Sequence, residues 1–187
     1  MLKLFAAAGL ALAAASASDA ATITVTGFSP GYQSNTVAIA PEATITSFGT
    51  DLYFGGAYPG EPGSFCAISG FGCAADMEIA FIGVVSNLMF DVGGYQIGDY
   101  VDVNIFGISN VFLGTIAVTS DVVGLDLSGF GSITRLLFDD SSTAAGVGYA
   151  NFSFDQVAAP IPLPAAGFLL IGALGGLAAL RRRKVVA

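Results

Sequence analysis

The 187 residues include no histidine, and between 21 and 160 there is no lysine, so chemistry in that stretch falls chiefly to oxygen and sulfur. Without an imidazole there can be no Ser-His-Asp or Cys-His nucleophile and no histidine metal ligand. No glycine-rich loop runs into a lysine, so the sequence offers no phosphate cradle of that kind. Two carboxylates suffice for glycoside hydrolysis, and Asp99, Asp102, Asp139, Asp140 and Asp155 supply candidates. Thirteen acids fall within 21–160, however, and such density brings carboxylates together without any catalytic purpose. A solvated acidic face is the plainer reading, and no enzymatic activity is expected.

A hard cation is a better use for the same groups, since it takes several oxygens at once. Asp139-Asp140-Ser141-Ser142 stands at the end of an expected strand. Asp139 and Asp140 are therefore the candidate calcium ligands, with Asp99 and Asp102 as a second choice. No segment matches an EF-hand or a nonapeptide calcium repeat, so calcium is the one cofactor considered and none is required. Carbohydrate recognition needs aromatic platforms beside polar groups. Tyr53, Phe54 and Tyr58 lie in DLYFGGAYPGEPG, while Tyr95 and Tyr100 flank a short QIGD segment. Tryptophan is absent, and tyrosines that merely pack would look the same in sequence.

Charge narrows the partner. Residues 21–160 carry thirteen acids and one cation, Arg135, a balance of −12. Such a surface repels a phosphate backbone, so nucleic acid is not an expected partner. Cations and neutral polymers such as polysaccharide remain open.

The elements that must position these groups begin after a targeting segment. MLKLFAAAGLALAAASASDA has one early lysine, a short apolar run and then small residues. That order reads as a signal peptide over 1–20, handled by the Sec translocon and signal peptidase, with cleavage after Ala17 or Ala20. Export changes how Cys66 and Cys73 are read. In an oxidising compartment the only two cysteines, close together in SFCAISGFGCAAD, are expected to form a disulfide. Two free buried thiols are the alternative.

From 21 to 158 the chain alternates short Val-, Ile-, Thr- and Phe-rich runs with Gly, Pro, Asn and Asp. YVDVNIFG is the clearest: Val101, Val103 and Ile105 point one way, and Asp102, Asn104 and Phe106 the other. Nothing before Pro160 shows a sustained helical period. About nine to eleven strands at such spacing predict an all-β, antiparallel, jelly-roll-like sandwich.

The C-terminal segment, 159–187, is of another kind. An uninterrupted apolar run over 165–180 follows IPLPA and precedes Arg181, Arg182, Arg183 and Lys184. Sixteen helical residues reach about 24 Å, short of a hydrocarbon core of about 30 Å. The run therefore predicts a marginal single transmembrane helix, with the basic cluster held on the cytoplasmic side as a stop-transfer signal. Gly172 and Gly176 could serve helix pairing, although glycine is frequent throughout this run.

This order of parts resembles the PEP-CTERM class of sorting signals. Ile161, Pro162, Leu163, Pro164 and Ala165 are similar to its VPLPA variant, with isoleucine at the first position. In that family an exosortase, an integral-membrane cysteine transpeptidase, recognises the motif and cuts near it. Its substrates are surface or matrix proteins of Gram-negative bacteria that make exopolysaccharide. More loosely, the stretch ending GYANFSFDQV resembles the closing strands of sandwich domains that precede such signals. Those often end in an Asp-Asn-Phe-like strand; here Ala150 stands where the acid would be, which weakens any metal role.

The resemblance implies export across the inner membrane, a transient single-pass precursor, and release to the cell surface or matrix. The expected function is non-enzymatic, structural or glycan-binding, in association with extracellular polysaccharide. A carboxylate-dependent glycoside hydrolase and an uncut, membrane-anchored binding domain are the alternatives.

Overall fold

The β-branched and aromatic runs do form strands, and the glycines and asparagines between them turn the chain. The computed structural model describes residues 18–157 apart from 26, 40, 57–61 and 71. Among them are β1 (Ser18–Ile23), β2 (Gly31–Gln33), β3 (Thr36–Ile39), β4 (Ala43–Ser47), β5 (Asp51–Phe54) and β6 (Phe65–Ile68). Then come β7 (Met77–Gly93), β8 (Val101–Gly107), β9 (Phe112–Val118), β10 (Val122–Asp126), β11 (Ile133–Asp140) and β12 (Gly148–Val157). Two single 3-10 turns, Ile108–Asn110 and Ser128–Phe130, are the helical content of the described residues.

All named strands join one large antiparallel sheet in the order β2-β5-β6-β12-β7-β11-β8-β9. β1 pairs with β12, β4 and β10 pair with β7, and β3 pairs with β4. The pivot is β7. Its first residues pair with β4 and β11 (Met77 opposite Ser47 and Phe138), and its later ones with β12 and β10 (Val92 opposite Tyr149 and Val122).

The sequence suggests two strands here, MEIAFIGVV and NLMFDVG, yet they form one strand of 17 residues. Gly83 (φ 109°) and Asn87 (φ 51°) explain the difference. Positive φ inside a strand is absorbed as a bulge, which bends the strand without ending it. Asn87 is held there by its amide, which donates to Asp155 Oδ2 at 2.7 Å.

The folded sheet is sandwich-like in its packing, because side chains from distant strands meet in one core. β8 alternates as expected: Val101, Val103 and Ile105 are buried, and Asp102, Asn104 and Phe106 half-buried. A row of rings joins the rest. Phe90 and Phe152 stack at 4.7 Å and 5°, Phe65 lies 5.5 Å from Phe152, and Phe138 lies 5.7 Å from Phe90 and 4.4 Å from Tyr149. Each such pair is worth about 0.5–1.5 kcal/mol beyond simple area burial.

β12 departs from the alternation expected of it. Tyr149 and Ala150 are both buried, after which Asn151 (φ 54°) forms a bulge and Phe152 and Phe154 resume the inward side. The Asn151 amide donates to Asp91 Oδ2 at 2.7 Å, and Asp91 Oδ1 accepts the Gly124 amide at 2.6 Å. Of the expected signal peptide over 1–20, residues 1–17 lie outside the described residues and 18–20 belong to β1; the sorting motif, apolar span and basic cluster over 161–184 also lie outside them. Among the described residues no helix is long and apolar enough to cross a membrane.

Candidate functional site

Cys66 and Cys73 are joined, with their Cα atoms 5.4 Å apart. The bond clips the residues after β6 back against that strand. From sequence the pair belongs to one glycine-containing loop, but Cys66 lies within β6 and is fully buried, while Cys73 belongs to the turn beyond. Cys73 donates its amide to Ala145 O at 2.6 Å and forms an isolated bridge with Gly146. Gly146 has to be glycine: its φ is +74°, and a Cβ there would fall 2.3 Å from the Cys73 carbonyl carbon.

Beside this clip opens a cleft of about 350 Å³, lined by Tyr32, Tyr53, Gln96, Cys73 and several glycines. Tyr32 and Tyr53 are cross-strand partners in β2 and β5, and their rings meet edge to face at 5.3 Å. Tyr32 is 66% exposed, so one ring presents a broad face to solvent. Among the described residues that line it there is no carboxylate or amine. Two of the loops around the cleft are fixed by one buried acid, Asp99. Its Oδ2 accepts the Gln96 amide at 2.8 Å and its Oδ1 accepts the Gly146 amide at 3.0 Å. Asp99 is thus a positioning residue, which its place in the sequence does not disclose.

Of the tyrosines singled out in sequence, Tyr53 reaches the cleft and Phe54 is buried in the core. Tyr95 packs against the core, Tyr100 donates its hydroxyl to Asp102 Oδ1 at 2.9 Å, and Tyr58 lies outside the described residues. Tyr32 and Gln96 were not candidates. GYQ is too short to read as a strand, and only its pairing with β5 brings Tyr32 to Tyr53.

The candidate calcium ligands are set differently. Asp139 faces Asp102 across β11 and β8. Asp140, the next residue, turns toward the interior: its Oδ1 accepts the Ser142 amide at 2.8 Å, and its own amide donates to Asp76 Oδ1 at 2.9 Å. Asp140 Oδ2 is buried with no protein partner. Desolvation pushes the Asp140 carboxyl above the usual range, and the charges of Asp99 and Asp76 add to this while Ser142 opposes it. The Tyr149 hydroxyl is likewise buried and unpartnered. Burial, then the charges of Asp140 and Asp76, hold its pKa well above the ordinary value. Asp139 and Asp140 therefore do not aim at one point, and among the described residues no group of three or more Asp, Glu, Cys or His could hold a metal ion. Asp155 is engaged by Asn87, away from both.

No protein-family model matches this chain, and no curated protein or solved structure matches it.

Proposed function

We propose that this is an exported, non-enzymatic surface or matrix protein that associates with extracellular polysaccharide through the Tyr32–Tyr53 cleft. The observation that carries this reading is the cleft itself, in which an exposed tyrosine stands beside Gln96 and a glycine-rich rim, with no charged side chain among the described lining residues. A sugar ring offers an apolar face to an aromatic platform and hydroxyls to amides, and such a lining suits it. The disulfide is in keeping with an oxidising compartment. The finer architecture we propose is a jelly-roll-like sandwich followed by a single transmembrane helix over 165–180.

Delivery is proposed from the sequence signals. Signal peptidase would cut after Ala17 rather than Ala20, because β1 begins at Ser18 and loses three of its six pairs with β12 if cut after Ala20. An exosortase would then act at Ile161 to Ala165, with Arg181 to Lys184 retaining the span until cleavage. Intact mass of the exported protein tests both ends. A mature chain still ending in RRRKVVA is instead the anchored binding domain.

Affinity electrophoresis in the producing cell's own polysaccharide tests the cleft. Retardation is expected without release of reducing ends, and Tyr32→Ala should weaken binding about tenfold, or about 1.4 kcal/mol. Binding unchanged by Tyr32→Ala removes the cleft from the account. Release of reducing ends that Asp139→Asn abolishes establishes the hydrolase instead.

A further inference from the structure

The connection between β8 and β9 is an apolar tip. From Ile108 to Leu113 four of six residues are apolar and open: Ile108 and Val111 at 58%, Phe112 at 56% and Leu113 at 37%. Ser109 and Asn110, at φ 57° and 63°, make the turn, and the Gly107 amide closes it on Val111 O at 2.8 Å. The place of this tip in the molecule follows from β7. A straight strand would set Met77 and Phe90 about 43 Å apart. Yet the Phe90 ring lies 5.7 Å from that of Phe138, which is opposite Met77. β7 therefore doubles back, and its middle, around Val84 and Val85, is one end of the molecule. β8 and β12 both run toward that end, since Ile133 is opposite Val85 and Gly107, and Val157 is opposite Val84. From Gln156 through Val85 and Ile133 to Gly107 is three ladder steps, at most about 16 Å. Ile82, 54% exposed, stands at this end too, with half-buried Glu42, Asp19 opposite Gln156, and Asp155 bonded to Asn87. The Tyr32–Tyr53 cleft opens at the other end, where Gly94 follows the last residue of β7 and Gly146 precedes β12.

We propose that the 108–113 tip dips into the outer face of the bilayer from which the chain emerges, standing the domain with its cleft turned outward. This rests on the proposed span over 165–180. Seven residues, 158–164, separate β12 from that span, and even fully extended such a link reaches about 27 Å. The end that carries the tip is therefore the end tethered to the lipid, and the hydrocarbon boundary is the apolar phase within its reach. Tethering makes the bilayer an intramolecular partner, present at high effective concentration. Three or four side chains, too few to hold a free protein on a membrane, then suffice to orient one already held there. No charged residue lies between 103 and 120, so no ionised group beside the tip has to lose its water. The attachment lasts as long as the tail is uncut, and through that time the sugar-binding end faces away from the membrane.

The chain contains no tryptophan, so Phe112→Trp supplies a single fluorescent reporter. The full chain, made in a host without exosortase so that its tail stays uncut, is reconstituted in phosphatidylcholine vesicles whose acyl chains carry bromine near the headgroup. Flotation reads the span, and emission reads the tip. In floated Phe112→Trp protein the emission should be blue-shifted and about half of it lost to bromine, as for a ring about 5–10 Å into the headgroup boundary. Val123→Trp, at a position 89% exposed and next to the far end of β7, should keep its emission. Adding Val111→Asp to Phe112→Trp should restore the emission while the protein still floats. Floated protein whose reporter at 112 is not quenched overturns the tip and leaves the span standing. A blue shift without quenching, the mark of a protein surface over the tip, does the same, as does equal quenching at 112 and 123. Protein that does not float refutes the span and the tip together.

Discussion

Tyr149→Phe should make this protein more stable. The hydroxyl is buried with no protein acceptor, and the side chain as a whole is 2% exposed. Burying an unpaired hydroxyl costs about 1–3 kcal/mol relative to leaving it in water. The ring's contacts with Phe138 at 4.4 Å and Phe65 at 6.4 Å do not involve the oxygen, so phenylalanine keeps them. The space left by one oxygen offsets part of the gain, leaving a net stabilisation of about 1 kcal/mol, or about 3 °C in Tm for a domain of this size. Urea unfolding followed by circular dichroism, with the disulfide intact, measures the difference. Alkaline pH supplies a second arm. The unfolded tyrosine loses its proton near its ordinary value of about 10, whereas the folded one holds it higher. The native state then binds more protons than the unfolded state, so parent stability falls as pH rises above about 10, and Tyr149→Phe should lack that part of the fall. A variant less stable by 1 kcal/mol or more at pH 7 refutes the reasoning, because the hydroxyl would then have to be well satisfied.

Asp140→Asn tests the neighbouring carboxyl. Its folded pKa is raised, so the contribution to stability is present below the unfolded value of about 3.9 and lost as pH rises through the folded one; the variant should lie closest to the parent in acid and above it at pH 7. Equal melting temperatures across that range would show that burial costs this carboxylate nothing. Replacing Cys66 and Cys73 by alanine together should cost about 2–3 kcal/mol in chemical unfolding, from the short loop that the bond closes. A loss under 1 kcal/mol would show that the loop is already held by other contacts, the hydrogen bond from Cys73 to Ala145 among them.

What could be read in advance followed the range of the interactions involved. β8 was legible because each of its residues reports its own side of the sheet, and alternation alone fixes Val103 inward and Asn104 outward. The disulfide was legible because two cysteines admit one pairing. β5 and β6 were not foreseen: DLYF alternates but over only four residues that run into glycines, and FCAI is buried throughout and shows no alternation. The break at Asn87 was mistaken for a strand end because a turn and a bulge use the same residue types, and only the ladder to β12 tells them apart. The cleft was half legible. Tyr53 was a candidate by composition, but Tyr32 is 21 positions away and joins it through one nonlocal pairing. Asp140 is a candidate calcium ligand from its place at a strand end, but sequence does not show that its carboxyl is partly buried within reach of the charges of Asp76 and Asp99.

The position of β12 has a consequence for the order in which the molecule can assemble. It is the last strand of the described residues and yet lies between β6 and β7, with β1 along it as well. Until residues 148–157 arrive, β6 has a bare side, the later half of β7 lacks one neighbour, and β1 has nothing to pair with. Phe152, which ties Phe65 to Phe90, arrives at the same moment. A growing or translocating chain therefore stays without its central seam through most of its length and closes late, in one step. Such an order favours passage through a membrane as an unfolded thread, and it makes truncation anywhere before β12 a route to aggregation rather than to a smaller domain.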